Sequence, residues 1–139
     1  MQSTMPSPID REELLARFLN SEKKYTKKTK KVKHQALYPS FNQARSRFET
    51  SVERISSVSQ DRLVKRGREV VIPKPLIGWA QFPVSSVLQV DLGVEPDPPP
   101  DTHAEIVHWP ELHHPGDKEV WKDALRPIIA ASELTLLEA

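Results

Sequence analysis

The stretch SPIDREELLARFLN, residues 7–20, decides how the chain begins to fold. Ser7 is a type that caps free helix amides, Pro8 suits the first helical position, and Asp10 stands where a helix dipole favours an anion. Leu14, Leu15, Phe18 and Leu19 then recur at helical spacing and give one apolar stripe. The pattern predicts a helix ending near Asn20.

Further along, Phe48, Thr50 and Val52 alternate with Glu49, Ser51 and Glu53, the mark of a half-buried strand. Ser57 or Ser59 is placed to cap a short helix carrying Leu63 and Val64, with Gly67 to close it. Residues 70–72 are a short apolar run stopped by Pro73. Residues 76–80 read as another strand, and Pro83 opens a short helix through Val87 and Leu88. VEPDPPPDT, residues 94–102, reads as an extended acidic connector. Residues 104–109 return to strand character. Asp117 is positioned to cap a last helix with Val120, Trp121, Ala124 and Leu125, which Pro127 must kink or restart before the apolar tail.

Alternating helices and strands predict an α+β fold. The expectation is a single small domain over 1–139, its short sheet packed by helices at both chain ends. A length of 139 residues suits one modest core. Thirteen prolines against four glycines imply stiff, extended connections. Cysteine is absent, which excludes disulfides, thiolate nucleophiles and cysteine-ligated zinc. No stretch approaches the roughly 18 apolar residues that span a bilayer, so no membrane partner is expected. The first fifteen residues lack the apolar run of a signal peptide, and the expected location is cytoplasmic.

The net charge of +1 hides a division. Residues 1–80 hold seventeen Lys/Arg against eight Asp/Glu, and residues 81–139 hold three against eleven. The positive half is focused in KKYTKKTKKVKH, residues 23–34, with seven lysines in twelve positions. Residues 21–35 offer little to bury beyond Tyr25 and Val32, and loop, mobile arm or frayed helix all fit. Lysine is a point charge without the planar fork that reads bases, so such a segment suits nucleic-acid backbone. The candidate contacts are Lys23, Lys24, Lys27, Lys28, Lys30, Lys31 and Lys33, with Tyr25 for stacking and Arg45 and Arg47 extending the field. Two rivals use the same residues. One is a solvated loop; the other is a protein partner or self-association through Glu95, Asp97 and Asp101. Trp79 and Trp109 suit the core, whereas Trp121, beside Lys118, Lys122 and Asp123, is a candidate protein-binding anchor.

His103-Ala104-Glu105 matches the first half of the zinc deaminase signature, but the cysteine half is missing, which rules that chemistry out. His103, His108, His113 and His114 with Glu105, Glu111 or Asp117 do not converge on a strand, where 103 and 105 share one face and 108 takes the other. No metal, cofactor or catalytic residue is therefore assigned, and His103 is expected to be a buried, hydrogen-bonded histidine at a strand entrance. No G-x-S-x-G and no glycine-rich phosphate loop occurs. The sequence favours a non-enzymatic accessory protein on nucleic acid. The alternatives are a small hydrolase or nuclease using His103 and Glu105, and a structural subunit assembling through oppositely charged halves.

Leu15, Arg17 and Phe18, followed by Pro100, His103, Ala104, Ile106, Trp109 and Pro110, fit the patterns L-x-R-F and P-x-x-H-A-x-I-x-x-W-P. In this the chain resembles an uncharacterised group of small bacterial proteins with no assigned activity, which prefers glycine where this chain has His108. The resemblance implies a bacterial, cytoplasmic accessory protein.

Overall fold

A single tight turn leads into the first strand of the computed structural model, which describes residues 8–112 and 118–137. The helix-start signal is real for that one turn. The Asp10 amide donates to Glu13 Oε2 at 3.0 Å, Asp10 Oδ1 accepts from the Glu12 amide at 2.8 Å, and the Glu13 amide donates to the Asp10 carbonyl. It goes no further. Leu14–Leu19 is strand β1, a correction to the expected amino-terminal helix, and Ser7 lies outside the described residues.

β1 runs inside the sheet between β5 (Arg47–Arg54) and β6 (Gly78–Pro83). Leu15 and Leu19 pack into the main core on one side, while Ala16 and Phe18 pack under a helix on the other. A strand covered on both faces loses its apolar–polar alternation, and here the residue run imitates a helical stripe.

The full order is β7 (Gly93–Pro96), β8 (His103–Val107), β5, β1, β6, β9 (Glu133–Leu136), with every neighbouring pair antiparallel. β4 (Ser40–Asn42) pairs with the start of β5. The expected connector over 94–102 is thus partly strand. Gly78 sits where β6 meets β9, and a Cβ there would strike the Thr135 carbonyl.

Helix α1 (Gln60–Val71) begins as expected at Ser59, whose hydroxyl accepts from the Arg62 amide at 3.3 Å. Gly67 does not end it. That glycine instead lets the helix approach Phe18 and Leu76, which a Cβ would crowd to below 3 Å. Helix α2 (Val84–Leu88) follows Pro83, also as expected. Helix α3 (Glu119–Ala131) runs through Pro127 without restarting, then hands over to β9; Asp117 lies outside the described residues. The fold is α+β with a mostly antiparallel sheet, and no described helix is long and apolar enough to cross a membrane.

Residues 21–35 hold two short pairing strands, β2 (Tyr25–Thr26) and β3 (Lys31–Val32), after a 3₁₀ turn at Glu22–Lys24. Tyr25 and Val32 face each other across the hairpin and are both buried in the main core. The two apolar residues in a lysine run are its anchor.

The sheet has unequal faces. Phe48, Thr50 and Val52 share the core face with Ala104 and Ile106, covered by α2, α3 and the hairpin region. α1 covers the opposite face over Ala16 and Trp79. Beyond α1 that face carries Arg47, Glu49, Ser51 and Glu53 of β5 with His103 and Glu105 of β8 and Glu95 of β7.

Candidate functional site: a polar sheet face and a lysine hairpin

The polar half of the sheet is built in three groups along β5. At one end, buried Glu49 accepts from Asn42 Nδ2 at 2.6 Å, Arg45 Nη1 at 2.9 Å and Arg47 Nε at 2.8 Å. Burial pushes the Glu49 carboxyl up, but Arg47, Asn42 and Arg45 outweigh it and hold the group below its ordinary value. The same arginines reach forward to the acidic half of the chain. Arg45 Nη2 lies 2.6 Å from Asp97 Oδ1, and Arg47 Nη2 lies 2.9 Å from Glu95 Oε1. Both guanidinium groups are held more strongly protonated by these carboxylates. These two members of the expected nucleic-acid field thus already have carboxylate partners.

At the other end, buried Glu53 accepts from Arg66 Nε at 3.1 Å and Thr102 Oγ1 at 2.6 Å. Between the two ends lies a Ser51–Glu105–His103–Asp97 chain. Both Glu105 oxygens lie near the Ser51 hydroxyl, at 2.9 and 2.7 Å. His103 Nδ1 is 2.8 Å from the Asp97 carbonyl and 3.2 Å from Asp97 Oδ2, and its Nε2 is 3.5 Å from Glu105 Oε2. A carbonyl only accepts, so Nδ1 must carry the hydrogen. In the neutral ring Nε2 then presents a lone pair toward a carboxylate, and a proton on either group turns that meeting into attraction. Burial raises the Glu105 carboxyl above its ordinary value, against the lowering effects of Ser51 and His103, while Glu49 and Asp97 add to the rise. His103 is hydrogen-bonded at the entrance of β8 as expected, but it is half-buried rather than buried.

Asp97, His103 and Glu105 offer donor atoms within 4.8 Å of one another. Nδ1 is committed to the Asp97 carbonyl and Asp97 Oδ1 to Arg45, so each of the three residues already bonds within the protein. His113, His114 and Asp117 lie outside the described residues. The hydroxyl of Ser51 donates to the Glu105 carboxylate and not to the His103 ring.

The sequence assigns Arg17 no role beyond its place in the L-x-R-F pattern, yet it closes the gap where β1 parts from β5. Its Nε donates to the Ala36 carbonyl at 2.9 Å and its Nη1 to the Ser51 carbonyl at 2.9 Å. Desolvation lowers its proton affinity, with the Glu105 charge pulling the other way. The clue available in sequence was a lone arginine inside an apolar stripe. Ser51 and Asp97 become neighbours of His103 only through strand register, which no local pattern reveals.

The lysines stand apart from this network. Lys27 lies 3.4 Å from Glu22 with both side chains well exposed. Lys31 Nζ donates to the carbonyls of Ala130 and Ser132 at 3.3 and 2.9 Å. Lys23, Lys24, Lys28, Lys30 and Lys33 have no carboxylate within ion-pair distance among the described residues. Tyr25 is only 9% exposed, so its expected stacking role is corrected: the ring is core. Trp121 is likewise no surface anchor. It is 3% exposed, its Nε1 donates to the Pro110 carbonyl at 2.9 Å, and its ring meets Tyr38, Phe48 and Trp109.

No protein-family profile, curated protein or solved structure matches the chain.

Proposed function

We propose that the protein is a non-enzymatic accessory protein that contacts the phosphate backbone of nucleic acid through its lysine hairpin. The unequal pairing of its cations supports this reading. Arg45, Arg47 and Arg66 are matched by carboxylates, whereas Lys23, Lys24, Lys28, Lys30 and Lys33 are not matched among the described residues. The Lys27–Glu22 pair adds little restraint, because an ion pair this exposed contributes about 0–1 kcal/mol. Burial of Tyr25 and Val32 fixes the hairpin on the body of the protein, so the free ammonium groups have a common support. Such groups bind phosphates by charge and carry no base code.

The test is binding of mixed-sequence duplex DNA and RNA at low salt, with Lys23, Lys24, Lys28, Lys30 and Lys33 changed to glutamine together. Five phosphate contacts give a slope of log affinity against log salt of about −4 to −5, and the substituted protein loses it. Retained binding in that variant, or no binding by the native protein, overturns the proposal.

A further inference from the structure

Beside the lysine hairpin, between the 3₁₀ turn at His34–Ala36 and the start of α3, lies a cleft of about 410 Å³. It is lined by Lys33, His34, Tyr38, Lys118, Glu119 and Lys122. We propose that this cleft receives one nucleotide of a single-stranded nucleic acid whose neighbouring phosphates lie on the hairpin, so that the protein prefers single strands to duplexes. The inference rests on the backbone-binding reading above and adds the form of nucleic acid that is bound.

The placement of the cations carries the argument. Residues 81–139 hold eleven acidic side chains and only three basic ones, Lys118, Lys122 and Arg126. Their four-residue spacing puts the three on one side of α3, and two of them line the cleft with Lys33. Lys33 belongs to both regions. Its amide donates to the Lys24 carbonyl at 2.8 Å, which fixes it beside the first lysines of the hairpin. A positive path thus runs from Lys24 through Lys33 to Lys118. Neither Lys33 nor Lys118 has a carboxylate within ion-pair distance among the described residues. Glu119 opposes this charge, but its pair with Lys122 at 3.5 Å is exposed, where water and salt weaken it. The shape selects the partner. A space of this size admits a base with its sugar and not a double helix, and Tyr38 supplies the aromatic wall that single-strand sites use. The ring is steadied by Trp121, with centroids 6.0 Å apart, and Lys118 Nζ lies over it at 5.2 Å. That exposed ammonium is free to move to a phosphate while a base takes its place, because stacking on an aromatic ring outweighs a cation–π contact at the surface.

The experiment compares a labelled mixed-sequence oligonucleotide of about 12 nucleotides, within the usual span of single-strand sites, with its own duplex, by fluorescence anisotropy over a salt series on the whole chain. The native protein should bind the single strand about tenfold more tightly than the duplex. Lys118→Gln with Lys122→Gln should lower the single-strand slope of log affinity against log salt by about 1.4, two phosphates at about 0.7 each, and leave the duplex slope unchanged. Tyr38→Leu should remove most of the preference for single strands; if loss of its contact with Trp121 unfolds the protein, the lysine variant decides alone, since neither lysine is buried. Lys65→Gln, on exposed α1, should change nothing. Equal affinity for the two forms, an unchanged slope in the lysine variant, or an equal loss in Lys65→Gln overturns this inference and leaves backbone binding by the hairpin standing. No binding of either form by the native protein overturns both.

Discussion

His108 follows β8 with φ at 69°, in the left-handed region that favours glycine. A side chain there costs roughly 1–2 kcal/mol through the clash of Cβ with the backbone. The residue is exposed, so its ring returns little burial, although it lies over Gly93, where a Cβ would meet His108 Nδ1 at 2.7 Å. His108→Gly should therefore stabilise the fold by about 0.5–1 kcal/mol, since the extra freedom of glycine in the unfolded chain takes back part of the strain relief. A urea midpoint that rises at constant slope is the expected reading, and a fall would mean that the ring's contact with Gly93 outweighs the strain. Residue chemistry is also where the site was most legible. His103 and Glu105, two apart on an expected strand, were predicted to share a face, and they meet.

At the scale of elements, Lys31 shows why a charge run cannot be read as uniform. Its ammonium sits on the last carbonyls of α3, where a helix C-terminus attracts a cation. Lys31→Gln should cost about 1–2 kcal/mol in a thermal melt and leave the salt slope of nucleic-acid binding unchanged. Lys28→Gln should do the reverse, which separates tether from contact within one hairpin. The elements themselves were legible where one face meets solvent or a cap is local. β5 kept its alternation, Ser59 and Pro83 marked their helices, and β8 stood out after the prolines. β1 was illegible because both faces are buried, and the Asp10–Glu13 turn imitates a helix start without continuing as one. β2 and β3 have two residues each, too few for any period to register.

At the scale of the whole molecule, the charge division of the sequence is partly cancelled by folding. Arg45 and Arg47 of the basic half bind Asp97 and Glu95 of the acidic half, which ties β4 and β5 to the β7 edge. This arrangement fixes how stability responds to pH. Burial raises the Glu13 and Glu49 carboxyls, but the arginine hydrogen bonds win and both fall below the ordinary 4.5. Groups lowered on folding add stability that is present above 4.5 and is lost as pH drops toward their folded values. Glu105 has the opposite sign. Burial raises it, so the folded state holds that proton more tightly, and stability declines as pH climbs from 4.5 toward the raised value. Glu105→Gln keeps an acceptor for Ser51, offers an N–H to the bare His103 Nε2, and removes the charge. The variant should equal or exceed the native protein in denaturant midpoint at pH 7, with the gap closing as pH falls to 4.5, while acid unfolding below 4.5 persists in both. A variant weaker than native at pH 7 would mean that attraction between protonated His103 and ionised Glu105 exceeds the cost of burying the carboxylate. The pair would then be an ion pair rather than a strained neutral contact.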